Sequence, residues 1–216
     1  MTADPEPRPL GPRQVIRLGV VDSTQSVAFA LAERGAEDGT VVVAASQRAG
    51  RGRRGRVWYD EPGASLLCSI LTRPQLGRGR WPLLSLVTAV AVARALDGVA
   101  GVATRLKWPN DVLLDGRKVA GILLESRLDP PVVAIGIGIN LGQERFPPEL
   151  GARATSLAQA TGRRVDPEQL LTALLDEVDA GRAQLEGEGS APLRQAWVAR
   201  SATLGAWVTV DAIRGQ

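Results

Sequence analysis

The stretch Lys107-Trp108-Pro109-Asn110-Asp111-Val112-Leu113-Leu114-Asp115-Gly116-Arg117-Lys118-Val119-Ala120-Gly121-Ile122-Leu123-Leu124-Glu125 decides the architecture. Asp115-Gly116 is a type I′ turn signal, because both central positions of that turn need positive φ and these residue types tolerate it. The runs on either side, 110–114 and 117–125, therefore pair as an antiparallel hairpin. Strands joined partly by hairpins and partly by helices exclude an all-parallel sheet. The expected fold is α+β (mixed α/β).

Within the hairpin, the Asp115-Gly116 turn pairs Leu113 with Lys118 and Asn110 with Gly121. Strict alternation then puts Lys118 on one face with Ala120, Ile122 and Leu124. A lysine there is either snorkelling to the surface or placed for chemistry. Gly121 weakens its strand unless a ligand or another backbone must come close.

Working outward, Val15–Val21 alternates into a strand, and Asp22-Ser23-Thr24 offers N-cap oxygens to a helix running to about Arg34. Val41–Ala45 and residues 64–72 are strands, and Pro82 opens a nearly all-apolar, central helix to about Leu96. Residues 104–108 and Val132–Ile139 complete the strands. Asp166-Pro167-Glu168-Gln169 starts a helix reaching about Leu185, and Pro192 opens another to about Arg200. Residues 1–14, with four prolines, form a disordered tail, residues 15–202 the folded body, and 203–216 begin a further strand.

Composition removes whole classes of chemistry. The chain of 216 residues contains no histidine, so Ser-His-Asp and Cys-His catalysis and the usual zinc sites are excluded. Cys68 is the only cysteine and lies in an apolar run, which reads as a buried structural thiol in a reducing compartment. The longest apolar stretch, Leu83–Leu96, is interrupted by Arg94 and too short for a bilayer, so the reading is a soluble protein. A net charge of +3 is only mildly basic for a nucleic-acid binder, but the arginines are locally concentrated.

Gly50-Arg51-Gly52-Arg53-Arg54-Gly55 spells G-x-G-x-x-G, yet no helix follows, and no carboxylate lies in Thr72–Leu76, where a ribose-binding acid would fall. The P-loop spacing of Gly50 and Gly55 is followed by Arg56-Val57, without the required lysine and hydroxyl. What remains is a glycine-hinged loop carrying Arg48, Arg51, Arg53, Arg54 and Arg56, suited to gripping carboxylate or phosphate, with Trp58 beside it. Self-repulsion and a lack of apolar anchors predict a loop mobile until a ligand orders it. Gly136-Ile137-Gly138-Ile139-Asn140 reads as a tight strand end.

Together these segments resemble the biotin protein ligase family. The matching features are Asp22-Ser23-Thr24-Gln25, Ser46 to Arg56 with Trp58, Lys107-Trp108-Pro109-Asn110-Asp111, Lys118 to Glu125, Gly136 to Asn140, and Ala154-Thr155-Ser156-Leu157. Their order and spacing hold over residues 20–160. The resemblance implies a central mixed β-sheet flanked by helices, with biotin and ATP on one sheet face and magnesium carried on the ATP phosphates. It implies that Ser23, Thr24, Gln25, Gln47, Arg51, Gly52, Arg53, Lys118 and Gly121 bind biotin. Gln25 stands where many relatives have Asn. Arg51, Arg53, Arg56, Trp58, Lys107, Asn110, Asn140 and Ala154 would line the nucleotide, with Lys118 and Arg51 as catalytic residues.

The implied reaction is formation of biotinyl-5′-AMP and transfer of biotin to a lysine of a biotin carboxyl carrier domain, in the cytoplasm, by a monomer or weak ligand-dependent homodimer. No nucleic acid or membrane is implied as partner. About 14 tail residues before the catalytic region resemble the monofunctional class without an N-terminal helix-turn-helix, and 203–216 would begin a C-terminal SH3-like barrel. A lipoate–protein ligase shares this fold, but its Gly-Gly-Gly and His-Asp motif is not present. A nucleic-acid-binding module would use the arginine loop and leave Lys118 and Gly121 without purpose.

Overall fold

In the computed structural model, which describes residues 13–207, Asp115 and Gly116 take φ of 50° and 75°, the two positive values of the expected turn. The elements are β1 (Val15–Val21), α1 (Thr24–Glu33), β2 (Val41–Gln47), β3 (Ser65–Thr72), α2 (Leu83–Ala100), β4 (Arg105–Lys107), β5 (Asp111–Leu114), β6 (Arg117–Leu128), β7 (Pro131–Asn140), α3 (Pro148–Gly151), α4 (Leu157–Thr161), α5 (Pro167–Gly187) and α6 (Ala191–Arg200). The expected elements form, with ends displaced by a few residues. The short helices α3 and α4 fall where the sequence shows no amphipathic period.

The strands make one seven-stranded sheet in the order β1-β2-β3-β7-β6-β5-β4. Only β1 and β2 are parallel, joined by the crossover helix α1, and every other pair is antiparallel. The sheet is therefore mixed, as expected.

Its two faces are covered unequally. Cys68, Ile70, Val133, Ile135, Ile137, Ile139, Val112 and Ile122 share one core with α2, α5 and α6. On α5 the buried positions Leu170, Leu171, Leu174, Leu175 and Val178 recur at helical spacing, and Asp166 caps the helix by accepting from the Glu168 amide at 3.0 Å. Helix α2 stops at Gly101, whose φ of 65° is the left-handed C-terminal conformation. The length and hydropathy of this region would suit a membrane span, but over half of it is buried inside the protein. On the other face a smaller core joins Ala28, Phe29 and Ala32 of α1 to Val42, Leu71, Val132 and Ala134.

The hairpin departs from strict alternation. Leu113 pairs with Lys118 as expected, but Val112 pairs with Ala120, so Val119 is an extra residue and Gly121 faces Asp111 rather than Asn110. This bulge puts two successive residues, Val119 and Ala120, into the core with Ile122. Lys118 consequently does not share a face with Ala120 and Ile122. It lies on the opposite side, with Gly121.

Ser23 is the N-cap of α1, yet its side chain makes no capping bond. Cys68 is buried, and burial pushes its thiol up to about 12, which fits the inert reading. Residues 203–207 are bends and turns, and most of the expected final strand lies outside the described residues, as does the tail before Arg13.

Candidate active site

The site follows from the strand register. On the α1 side of the sheet, Ser69, Gly136 and Leu123 stand in one row across β3, β7 and β6, with Leu67, Gly138 and Gly121 in the next. Three of these six positions have no side chain, so the floor is backbone. A Cβ at Gly136 would lie 2.8 Å from Gln25 Cδ, and one at Gly138 would lie 2.6 Å from Trp58 Cε2. Gly121 is hemmed in by Trp58 Cζ3 and Lys118 Cε, each 2.9 Å from where its Cβ would be. Gln25 and Trp58 thus rest on glycines that nothing larger could replace without displacing them. The tight strand end expected of Gly136-Ile137-Gly138 is this floor.

At the β3 side the groups are polar and uncharged. The Thr24 amide and hydroxyl both donate to Gln47 Oε1, at 2.8 and 3.1 Å, and Thr24 Oγ1 lies 2.7 Å from Ser69 Oγ. Gln25 Nε2 donates to the Leu123 and Ala134 carbonyls at 3.1 and 3.2 Å. Its amide nitrogen is therefore engaged by the sheet, the extra methylene relative to Asn giving it the reach. Ser23, Thr24 and Gln25 are all buried at the N-terminus of α1.

At the β6 side the groups are charged. Lys118 Nζ is 2.6 Å from Asp111 Oδ1 and 5.3 Å from the centre of the Trp58 ring. The Lys118 backbone is clamped by the loop before α4, donating to Arg153 O and accepting from the Thr155 amide, which sets Ala154 beside it. Asn140, buried at the end of β7, donates to Thr155 O at 2.9 Å and accepts from Gln143 at 3.2 Å. It holds the Ala154 loop in place, and its amide is spent on the protein.

The arginine loop is not anchorless. Gly52 donates to Arg56 O at 2.7 Å and Trp58 to Gly50 O at 2.9 Å, closing a small hairpin whose neck is pinned by the Gln47 amide donating to Asp60 Oδ2. Gly50 is needed there, since a Cβ would meet Trp58 O at 3.0 Å. Arg51 spans from Ser26 Oγ (3.2 Å) to Glu125 Oε2 (2.7 Å), and Arg53 reaches Asn110 Oδ1 at 3.4 Å. The expectation that nothing local holds this loop is corrected by these contacts. Trp58, the missing apolar anchor, lies just past the arginines.

Nearly all the sequence-selected residues therefore converge on one strip: Ser23, Thr24, Gln25, Gln47, Arg51, Gly52, Arg53, Trp58, Asn110, Lys118, Gly121 and Ala154, with Asn140 behind it. Arg56 and Lys107 are exposed, and neither side chain makes a hydrogen bond or ion pair among the described residues. Lys107 does stand opposite Asp111 in the sheet, on the Lys118 side. Sequence reasoning missed Ser69 and Asp60, and gave no role to Asp111 and Glu125 although both stand in quoted motifs. Asp111 adjoins the selected Asn110 and was legible as the first carboxylate of the hairpin, whereas Ser69 and Glu125 reach the site only through pairing across β7. Among the described residues no group of three or more Asp, Glu, His or Cys is placed to hold a metal ion.

The arrangement can hold an elongated molecule with a neutral polar head at Thr24, Gln47 and Ser69 and an anionic end at Lys118. From β3, which carries Ser69, to β6, which carries Lys118, is two strand spacings, roughly 10 Å. Trp58 and the arginines stand on the anionic side, where a base and phosphates would find stacking surface and charge.

The comparisons agree with this geometry. The sequence matches the biotin/lipoate A/B protein ligase family over residues 18–141. It is 44% identical over 199 residues to the biotin–[acetyl-CoA-carboxylase] ligase of Paracoccus denitrificans, covering 87% of this chain and 81% of that protein. It is 36% identical over 208 residues to the bifunctional ligase/repressor BirA of Bacillus spizizenii, where it spans 94% of this chain but only 64% of the relative. The fold superimposes on a biotin protein ligase from Aquifex aeolicus, solved in complex with biotin and ATP, with a TM-score of 0.81, 33% identity, and coverage of 89% and 80% of the two chains. The chain belongs to the biotin/lipoate A/B protein ligase family, and within it to the biotin protein ligases.

Proposed function

We propose that this protein activates biotin with ATP and transfers it to a lysine of a biotin carboxyl carrier domain, in the cytoplasm. The observation that carries the reading is the glycine-floored strip of β7, with uncharged polar groups at one end and Lys118 at the other. That pattern suits a cyclic urea joined by an aliphatic chain to a carboxylate. Ser23, Thr24 and Gln47 bind the ureido end, and Arg51, Gly52 and Arg53 cover the chain and the phosphates.

In the first step a biotin carboxylate oxygen attacks the α-phosphorus of ATP and pyrophosphate leaves. Two anions must approach, and at ~4 Å with an effective dielectric of ~20 each unit pair repels by about 4 kcal/mol. The Lys118 ammonium and the arginine guanidiniums offset this and stabilise the charge developing in the transition state. Magnesium arrives with the ATP phosphates as part of the substrate. In the second step the acceptor amine attacks the acyl carbon of the mixed anhydride, AMP leaves, and the amine gives up a proton. Asp111, 2.6 Å from Lys118, is a carboxylate beside this centre that can accept that proton. The arginine hairpin closing over the anhydride keeps water away from it.

Incubation with biotin, MgATP and a biotin carboxyl carrier domain, read by mass, tests the proposal. The carrier should gain one biotinyl group, and lipoate in place of biotin should add nothing. A carrier of unchanged mass, together with micromolar binding of DNA or RNA that falls steeply with salt, would instead make the arginine loop a nucleic-acid site.

A further inference from the structure

Glu125 has no part in the steps above, yet it is the partner of their most important loop residue. It lies on the α1 side of β6, as its register opposite Ala134 requires. Among the described residues, Arg51 is the loop side chain that hydrogen-bonds to both walls of the strip, reaching Ser26 on α1 and Glu125 on β6. A guanidinium has five N–H donors, so these two contacts leave others for a ligand beneath. Arg51 is thus a strap across the strip, and Glu125 is the post to which it is tied.

We propose that Glu125 is a positioning residue that latches Arg51, and with it the arginine hairpin, over the bound ligand, so that the Arg51–Glu125 pair sets how long an activated acyl-adenylate is retained before an acceptor arrives. The proposal rests on the function given above. The pair is partly exposed, which makes it a latch rather than a fixture: such a pair is weak, screened by salt and readily broken. A buried pair would hold the hairpin permanently and block entry of biotin and ATP. The loop is otherwise joined to the body by the Arg48 and Ala49 amides, which donate to the Val21 and Asp22 carbonyls, by an Arg48–Asp22 ion pair, by its Asp60 neck, by Trp58 and by the longer Arg53–Asn110 contact, none of which spans the strip from α1 to β6.

The test compares Glu125→Gln and Glu125→Asp with the unaltered chain. In a single turnover with biotin and MgATP and no acceptor, adenylate should still form, and its formation and its release are timed separately. Release of adenylate into solution should be about fivefold faster in Glu125→Gln, with Glu125→Asp intermediate. Release from the unaltered chain should quicken with added salt, and that salt dependence should vanish in Glu125→Gln. Amide exchange across residues 48–58 should be faster in Glu125→Gln without any ligand, while the melting temperature stays the same. Equal release rates, or equal loop exchange, would overturn the latch. If the unaltered chain makes no adenylate, the functional reading fails by itself. The latch is then judged by loop exchange alone, and unchanged protection in Glu125→Gln sinks it.

Discussion

The two faces of β7 are made from alternate residues of one ten-residue strand and do opposite work. On one face Val133, Ile135, Ile137 and Ile139 interlock with α2 and α5. On the other, Val132 and Ala134 pack under α1, and then side chains vanish at Gly136 and Gly138. Full burial of an isoleucine contributes about 1.5–3 kcal/mol, so the first face is where this strand is held. The second gives up that contribution to bring Gln25, Trp58 and a ligand against bare backbone. The period-two geometry of a strand lets a single segment be structural and functional at once, and predicts that substitutions on the two faces separate stability from activity.

The largest expected effect is on the glycine side. Replacing Lys118 with Met should lower biotinyl-adenylate formation by about 10²–10³-fold, the usual consequence of removing one preorganised cation or donor from a charge-developing centre. The thermal midpoint should barely move, because the Lys118–Asp111 pair is partly exposed. A folded variant that forms adenylate at the unaltered rate would end the assignment of Lys118.

On the isoleucine side the separation should reverse. Ile137→Ala should cost about 2–4 kcal/mol in denaturant unfolding through the cavity it leaves, with the biotin KM of the folded enzyme unchanged. A shifted KM would mean that the two faces are coupled through the backbone. Gly138→Ala should do less to stability and more to binding, weakening biotin or ATP about tenfold as the new methyl displaces Trp58. Its mechanism can be isolated by a double-mutant cycle: in a Trp58→Ala background, Gly138→Ala should cost almost nothing. Additive losses would show that the methyl acts on something other than the indole.

This contrast also explains what was legible in the sequence. Asp115-Gly116 announced its hairpin because turn chemistry is local, and the apolar runs of β7 and α2 announced a core. Thr24 and Gln47 were found through a resemblance, and Lys118, singled out by its hairpin, was put on the wrong face, since nothing in their own neighbourhoods says which side of the sheet they take. The bulge at Val119 shows why. One extra residue reverses the face of everything before it, and no alternation pattern reveals where the insertion falls. Ser69 was invisible and Glu125, though quoted in its motif, had no role for the same reason, because their partners come from α1 and the arginine loop across other strands. The loop itself was misjudged by weighing its arginines and overlooking that Trp58, two residues beyond, finds its seat on Gly121 and Gly138.

The smallest effect concerns charge, and it too divides the molecule. Around the strip the pairs Arg51–Glu125 and Lys118–Asp111 are partly exposed and free to rearrange. At the other end of β3, Arg182 of α5 is buried, with Asp38 at 2.8 Å and Glu186 at 3.0 Å, and Asp38 also accepts from the Arg73 amide. Burial alone would raise the pKa of Asp38, but hydrogen bonds and charge from Arg182, with the Arg73 amide, hold it below the usual carboxylate range. A carboxylate whose pKa is lower folded than unfolded binds its proton more readily in the unfolded chain, so the stability it contributes is complete above its unfolded pKa, near 4, and is lost as pH falls through the lower folded value. Asp38→Asn should therefore cost roughly 1–2 kcal/mol at neutral pH, and the gap between the two unfolding curves should close progressively below about pH 4. Biotin binding at neutral pH should be untouched, since the substitution lies away from the strip. A gap that persists undiminished at pH 3 would mean that Asp38 contributes by packing rather than by charge, and the division between a fixed electrostatic anchor and a mobile one at the site would have to be withdrawn.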